Sequence, residues 1–189
     1  MIYIRDIMAI DRKSLEIEFK CKLTEEKYND LISIFHCSKP IVQVNHYFDT
    51  KNFDLRNQKI VLRIRQKGDQ FKLTSKIKND VGNDESHVFL TKAQGLEMIE
   101  NGFDANIINL NYFVKKITDL TTYRVSFPYK NGKLFLDKSL YKDTTDYEVE
   151  YEASSYEDGE KEFNQFLEEY NIPYVEMKSK IERAFSKLK

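Results

Sequence analysis

The segment from Leu15 to Leu23 alternates apolar and ionic residues with the period of a β-strand. Its apolar positions are Leu15, Ile17, Phe19, Cys21 and Leu23, and its ionic positions are Glu16, Glu18, Lys20 and Lys22. Neighbouring like charges repel by about 1 kcal/mol at ~4 Å in water and by roughly four times as much at a partly buried site. The row is explained if the carboxylates bind a divalent cation and the lysines bind the anion that accompanies it. A solvated strand of mixed charge is the alternative.

Other segments with the same period also separate an apolar face from a face dominated by one sign of charge. The charged positions are Arg63 and Arg65 in one strand, Lys72, Lys76 and Lys78 in the next, Arg124 further on, and Glu148, Glu150 and Glu152 near the end. Charges on an ordinary solvated surface are usually interspersed in sign. The sorting therefore indicates a functional use of these charges.

Composition excludes several classes of protein. The chain has 189 residues, 41% of them hydrophobic, which predicts a single globular domain over residues 1–189. Its 30 Lys and Arg nearly balance its 31 Asp and Glu, so no overall field favours nucleic acid or a membrane surface. There is no apolar run of membrane-spanning length and no signal-peptide pattern. Cys21 and Cys37 lack metal-ligand spacing, and we predict a cytoplasmic protein with free thiols.

Hydrophobic periodicity predicts eight strands and five helices. The strands lie over about 14–23, 42–50, 59–67, 70–78, 85–90, 120–129, 132–140 and 146–154. Helices are expected after Thr24, from Thr91 to Gly102, over about 107–117, from Asp158 or Gly159, and after Ser179.

The two sets of elements fit together as an α+β fold. We predict an eight-stranded antiparallel β-barrel, a tunnel, whose apolar faces point outward under the helices and whose interior is charged. Such an interior is too costly to leave dry and unpaired, so it must hold water, metal ions and a polyanion. An open sheet with its polar face in solvent and helices on the other face is the alternative.

The motif Glu16-x-Glu18-x-Lys20 resembles the signature of the CYTH superfamily, the triphosphate tunnel metalloenzymes. This superfamily includes class IV adenylyl cyclases, thiamine triphosphatases and inorganic triphosphatases. The similarity continues in order through 62–65, 73–76, Glu85, 122–124, 136–138, 147–152 and 179–180. The segment from His46 to Thr50 resembles one found in small stand-alone bacterial members. The resemblance implies the same charged tunnel that the strand count predicts.

The resemblance also implies roles for individual residues. Metal ligands would be Glu16 and Glu18, joined from across the tunnel by Glu148 and Glu150, with Mg²⁺ or Mn²⁺ as the ion. Phosphate oxygens would be bound by Lys20, Lys22, Arg63, Arg65, Lys76, Arg124 and Lys180. The catalytic set would be Glu16, Glu18, Lys20, Glu148 and Glu150. Glu85 and Asp137 are further candidates, either as ligands or as residues that orient the arginines.

A lining of this kind supports attack of water on a terminal phosphoryl group, which needs charge neutralisation and alignment. We therefore predict a metal-dependent triphosphatase whose partner is a small-molecule triphosphate, with inorganic triphosphate or a similar compact polyphosphate as substrate. Class IV adenylyl cyclase, thiamine triphosphatase and a non-catalytic polyphosphate-binding module are the alternatives. Asp49 either gates the tunnel or starts a turn, and His87 either touches substrate or is structural. The sequence leaves the oligomeric state open.

Overall fold

The computed structural model describes residues 11–78 and 83–186, with side chains from Glu16 onward. Its strands are β1 (Asp11–Leu23), β2 (Ile41–Asp49), β3 (Ile60–Lys67), β4 (Gln70–Lys78), β5 (Asn83–Leu90), β6 (Phe103–Asp104), β7 (Phe113–Tyr129), β8 (Gly132–Tyr141) and β9 (Thr144–Ala153). Its α-helices are α1 (Glu25–Ile34), α2 (Asp54–Asn57), α3 (Lys92–Asn101), α4 (Tyr156–Glu169) and α5 (Lys180–Phe185), with a 3-10 helix at Ala105–Ile108.

Hydrogen bonding joins the strands in one continuous order. The order is β2-β3-β4-β5-β1-β9-β8-β7-β6, and β2 also pairs with β7. Eight strands, all except the two-residue β6, therefore pair with a neighbour on both sides. This is the strand connectivity of the predicted eight-stranded barrel, and the α+β fold class is confirmed.

The contacts of the chain define two compact units. The first contains Gln43–Leu120 and the start of β1, and the second contains Glu16–Val42 together with the chain from Thr121 onward. In the first unit, the apolar faces of β3, β4 and β5 pack with α3 and the 3-10 helix in one core. In the second unit, the apolar faces of β1, β7, β8 and β9 pack with α1 and α4 in another. Each unit thus buries one face of its strands under helices, as predicted.

Capping residues in the sequence predict most helix starts correctly. Thr24 caps α1 by accepting from the N–H of Lys27 at 3.1 Å. Thr91 and Ser179 each form a capping box, at the starts of α3 and α5. Helix α4 begins at Tyr156, earlier than predicted, because Ser155 is its N-cap. Short turns join β3 to β4, β7 to β8 and β8 to β9 as antiparallel hairpins.

The helix predicted over 107–117 is wrong. The 3-10 helix ends before Asn109, which is left-handed at φ 61°, and β7 begins at Phe113. Val114 and Leu120 on this strand are fully buried. The spacing of three and four residues between Ile107, Leu110, Val114 and Ile117 is helical, but pairing of β7 with β2 and β6 overrides this local signal.

Asp49 has a structural role that the sequence left open. Its buried carboxylate accepts from the backbone N–H groups of Leu55 at 3.0 Å and Arg56 at 3.1 Å, and so anchors α2. This agrees with the alternative in which Asp49 starts a turn.

Within the described residues, no helix combines the length and apolar character needed to cross a membrane.

Cys21 should resist thiol reagents in the native protein. Its side chain is fully buried, burial raises the pKa of its thiol, and the N–H of Val175 donates to its sulfur at 3.3 Å. Because labelling requires local opening, Cys21 in a Cys37→Ser variant should react at least about tenfold more slowly than Cys37 in a Cys21→Ala variant. Stopped-flow labelling in buffer and in denaturant measures both rates. Equal rates for the two cysteines in buffer would contradict the buried placement.

Candidate active site

The first unit carries a face rich in cations. Strands β3 and β4 place Arg63, Arg65, Lys72 and Lys76 on it, with Arg65 directly opposite Lys72. Glu85 on β5 adds a carboxylate to this face. It is in register with Lys76 and forms an ion pair with it. The opposite faces of the same strands pack in the apolar core. The cations therefore remain next to one another on the other face.

Described residues on the neighbouring strands contact these cations. Arg65 donates its Nε–H to the side-chain oxygen of Asn45 at 2.9 Å. The Nε–H of Arg63 is buried and has no hydrogen-bond partner among the residues described. His87 lies between Thr74 and Glu85, with its ring nitrogens 3.2 Å from the Thr74 hydroxyl and 3.2 Å from the Glu85 carboxylate. The contacts of His87 are thus to protein groups, as in its structural interpretation.

The pKa shifts in this unit report an excess of positive charge. Burial, and then the charges of Arg65 and Arg63, lower the pKa of Lys72. For Glu85, burial alone would raise the pKa, but the hydrogen bond from His87 and the charge of Lys76 outweigh it and hold the pKa well below its usual range. The face therefore favours a bound anion.

The second unit contains a cluster of buried carboxylates. Asp137 on β8 and Glu148 and Glu150 on β9 each offer an oxygen, and these three oxygens lie within 4.8 Å of one another. Register places Asp137 directly opposite Glu148. Each side chain is at least nine-tenths buried, so none of the three charges is solvated as it would be at a surface.

Cations of the same unit compensate this cluster. The Lys180 ammonium, at the start of α5, contacts all three carboxylates, with Asp137 at 2.8 Å. Arg124 binds Asp137 through two nitrogens and also contacts Glu150. Arg183 donates to Glu148 at 2.8 Å. The predicted phosphate ligands Arg124 and Lys180 are therefore engaged with carboxylates in this structure.

Neighbouring carboxylates in the cluster have opposite pKa shifts. Burial raises the pKa of Glu148, although Lys180 partly offsets it. For Glu150, the charges of Lys180 and Arg124 outweigh burial and hold the pKa well below its usual value. The pKa of Lys180 is raised because its three carboxylate neighbours outweigh its burial. Divergent pKa values in one cluster are a common property of catalytic sites.

The placement of the first acidic pair needs correction. Glu16 and Glu18 were expected to face Glu148 and Glu150 from across the tunnel, but β1 is hydrogen-bonded directly to β9. Register puts Lys20 opposite Glu150 and Lys22 opposite Glu148. The two glutamates lie further along β1, outside the three-carboxylate cluster, and Glu18 contacts Lys20 at 3.3 Å. Lys22 is exposed.

Two members of this network were missed from the sequence. Arg183 binds Asp146 and Glu148, and Asp146 also accepts from Tyr141. Signals for both were available. Asp146 shares the strand parity of Glu148 and Glu150, and Arg183 lies one helical turn after Lys180.

Comparison with known proteins identifies the family. The CYTH domain matches residues 14–185, which include both units and nearly all of the chain. The chain belongs to the CYTH family. The resemblance stated from the sequence is therefore confirmed.

Two relatives of this CYTH protein are similar at the same level. One is the Bacillus subtilis (strain 168) protein named "Putative triphosphatase YjbK", 33% identical over 181 residues that cover 92% of this chain and 95% of that one. The other is the crystal structure of a "putative adenylate cyclase" from Bacillus halodurans, 33% identical, with a TM-score of 0.84 over 93% of this chain and 100% of that one. The Hippeastrum protein HpAC1 shares the fold, with 22% identity and a TM-score of 0.76 over 91% and 96% of the two chains.

Replacing Glu85 by Gln should destabilise the protein in a pH-dependent way. Because the folded-state pKa of Glu85 is lowered, its carboxylate stabilises the fold above its unfolded pKa of about 4.3, and the contribution is lost as the pH falls toward the folded value. The Tm deficit of Glu85→Gln should be largest at pH 7 and shrink below about pH 4. Scanning calorimetry of the wild type, this variant and the exposed control Glu100→Gln measures it. A deficit independent of pH would contradict the stabilising role of the charge.

Proposed function

We propose that this CYTH protein is a metal-dependent triphosphatase that prefers inorganic triphosphate. The observation that supports it is the cationic face of the first unit, where Arg63, Arg65, Lys72 and Lys76 are accompanied by the carboxylate of Glu85. Cations held close together at half-buried positions are costly unless an anion binds there. A compact polyanion such as triphosphate supplies several negative charges within a short length. The relative named as a triphosphatase supports the same substrate class.

The three-carboxylate cluster suits a hard divalent ion. Mg²⁺ and Mn²⁺ prefer oxygen ligands, and the oxygens of Asp137, Glu148 and Glu150 are close enough to share one ion. Lys180 contacts the same oxygens, so the ammonium competes with an ion for this cluster. When bound, such an ion neutralises phosphate charge and lowers the pKa of a water nucleophile. We retain Glu16 and Glu18 as predicted ligands of a further ion.

The chain itself supplies charge and orientation for hydrolysis. The guanidinium groups of Arg63 and Arg65 suit phosphate oxygens because their N–H donors form a planar fork. Lys76 and Lys20 supply point charges, and Lys20 keeps its proton because nearby carboxylates, Glu18 first, outweigh its burial and raise its pKa. Phosphoryl transfer needs little covalent chemistry from the protein. No nucleophilic side chain is required in this mechanism.

A class IV adenylyl cyclase is the second candidate, because the Bacillus halodurans relative carries that name. A cyclase would deprotonate a ribose hydroxyl in place of water. Thiamine triphosphatase and a non-catalytic polyphosphate-binding module stay as alternatives from the sequence. A single domain and a cytoplasmic location also stay predictions.

Turnover of a substrate panel tests the proposal directly. Inorganic triphosphate, ATP and thiamine triphosphate are each incubated with Mg²⁺, with Mn²⁺ or with a chelator, and orthophosphate, pyrophosphate and cyclic AMP are quantified. We expect orthophosphate to be released fastest from inorganic triphosphate, and the chelator to abolish release. Cyclic AMP from ATP with inorganic triphosphate left intact would favour the cyclase. Binding of triphosphate without any release would favour the non-catalytic module.

Glu148→Gln should weaken metal binding by about tenfold or more, because it removes an anionic oxygen ligand and keeps the shape of the side chain. Glu152→Gln is the matched control, since Glu152 lies on the same strand and has the same parity but is exposed. Calorimetric titration with Mn²⁺ measures both affinities, and circular dichroism checks the fold. If both variants bind Mn²⁺ as the wild type does, the three-carboxylate cluster is not the metal site.

Arg63→Gln should weaken triphosphate binding with a smaller effect on Mn²⁺. Loss of a charge-assisted hydrogen bond costs about 1.5–3 kcal/mol, or roughly 10- to 150-fold in affinity. The exposed Arg56, placed on α2, provides the control Arg56→Gln. Titration of each variant with triphosphate and with Mn²⁺ separates the two effects. Unchanged triphosphate affinity in Arg63→Gln would remove Arg63 from the phosphate site.

A further inference from the structure

A buried tyrosine lies on the cationic face of the first unit. Tyr47 on β2 is directly opposite Arg63 on β3, so their side chains leave the sheet on the same side, with Cβ atoms about 4.5–5.5 Å apart. The next residue, Phe48, is on the other side of the sheet and packs in the apolar core of this unit. Tyr47 is 1% exposed, yet it belongs to neither apolar core that the structure describes. Its ring is therefore buried on the charged side of the sheet.

Hydrogen bonding across this row leaves two neighbouring donors without an acceptor. Register continues the row through Thr74 on β4 and His87 on β5, and these two have protein partners, since His87 contacts both the Thr74 hydroxyl and the Glu85 carboxylate. The Tyr47 hydroxyl, in contrast, forms no hydrogen bond with the residues that the structure describes. The Nε–H of Arg63 is buried and also has no partner in the described part of the chain. Both donors lie on the side of the row where β2 pairs with β3.

The hydroxyl of Tyr47 is not explained by packing. A buried hydroxyl without a partner destabilises a protein unless a ligand or a water molecule satisfies it. Phenylalanine would fill the same space without that cost. The missing acceptor has to serve Tyr47 and Arg63 together, and a phosphate oxygen does so because it accepts hydrogen bonds from charged and neutral donors alike. The cations around Tyr47 favour the same anion.

We propose that Tyr47 is a further substrate-binding residue, whose hydroxyl donates a hydrogen bond to a phosphate oxygen of the bound triphosphate beside Arg63. The proposal rests on the proposed function and deepens it, because it adds a neutral donor to a phosphate site made of cations. A phenol carries no charge, so it orients a phosphate group without adding repulsion between Arg63, Arg65 and Lys72. An ordered water molecule is the rival partner of the hydroxyl, and in that case triphosphate affinity would not depend on it.

Tyr47→Phe removes the hydroxyl, keeps the ring and should change stability and binding in different directions. Because the hydroxyl is unpaired in the free protein, the Tm of ligand-free Tyr47→Phe should equal or exceed that of the wild type in scanning calorimetry. Loss of a hydrogen bond to a charged phosphate should weaken binding of inorganic triphosphate by at least about tenfold, measured by titration calorimetry with a chelator present to prevent turnover. Triphosphate should therefore raise the Tm of this variant by less than it raises that of the wild type.

Tyr112→Phe is the matched control, since Tyr112 belongs to the same unit and its hydroxyl already accepts from the side-chain amide of Gln58 at 2.7 Å. This control should bind triphosphate as the wild type does. Unchanged triphosphate affinity in Tyr47→Phe would overturn the proposal and assign the hydroxyl to water, and a lowered Tm with unchanged affinity would leave Tyr47 a structural role only. Failure of the triphosphatase proposal appears separately, as triphosphate binding without phosphate release in the substrate panel. A wild type that does not bind triphosphate would overturn both proposals.

Discussion

The structure depends on holding charges of one sign together at half-buried positions. Each strand of the two units has one face in an apolar core, so its charged residues have no alternative orientation. A Lys or Arg in a half-buried row repels its neighbours far more than it would in bulk water. This repulsion lowers the free energy of unfolding until a ligand offsets it. Such rows therefore favour a bound ligand, because they destabilise the fold when their charge is not offset.

The two units handle this constraint differently. In the second unit, Lys180, Arg124 and Arg183 compensate the carboxylates of β8 and β9 directly, and the network is internally paired. In the first unit, the cations of β3 and β4 outnumber the carboxylates that the structure describes beside them, and burial, together with the charges of Arg65 and Arg63, lowers the pKa of Lys72. The first unit thus has a greater need for an anion from solution. The second has oxygen ligands that a divalent ion can take over from an ammonium group.

Membership of the CYTH family indicates chemistry on a triphosphate but does not identify the substrate. Relatives equally similar to this chain are named for a triphosphatase and for a cyclase. Both activities need a bound triphosphate and differ in the nucleophile that attacks it. The residues that bind phosphates therefore cannot distinguish a triphosphatase from a cyclase. That distinction has to come from groups outside the phosphate-binding residues.

The sequence alone determined the features that depend on local order. Alternation assigned the charged and apolar faces of β1, β3, β4 and β9, and Thr24, Thr91 and Ser179 marked helix starts because capping involves residues three apart. The CYTH signature supplied the family. Only the tertiary structure decided which charges meet. It placed Lys20, and not Glu18, opposite Glu150, and made residues from Phe113 a strand. Register and pairing depend on contacts between distant segments, which local periodicity does not encode.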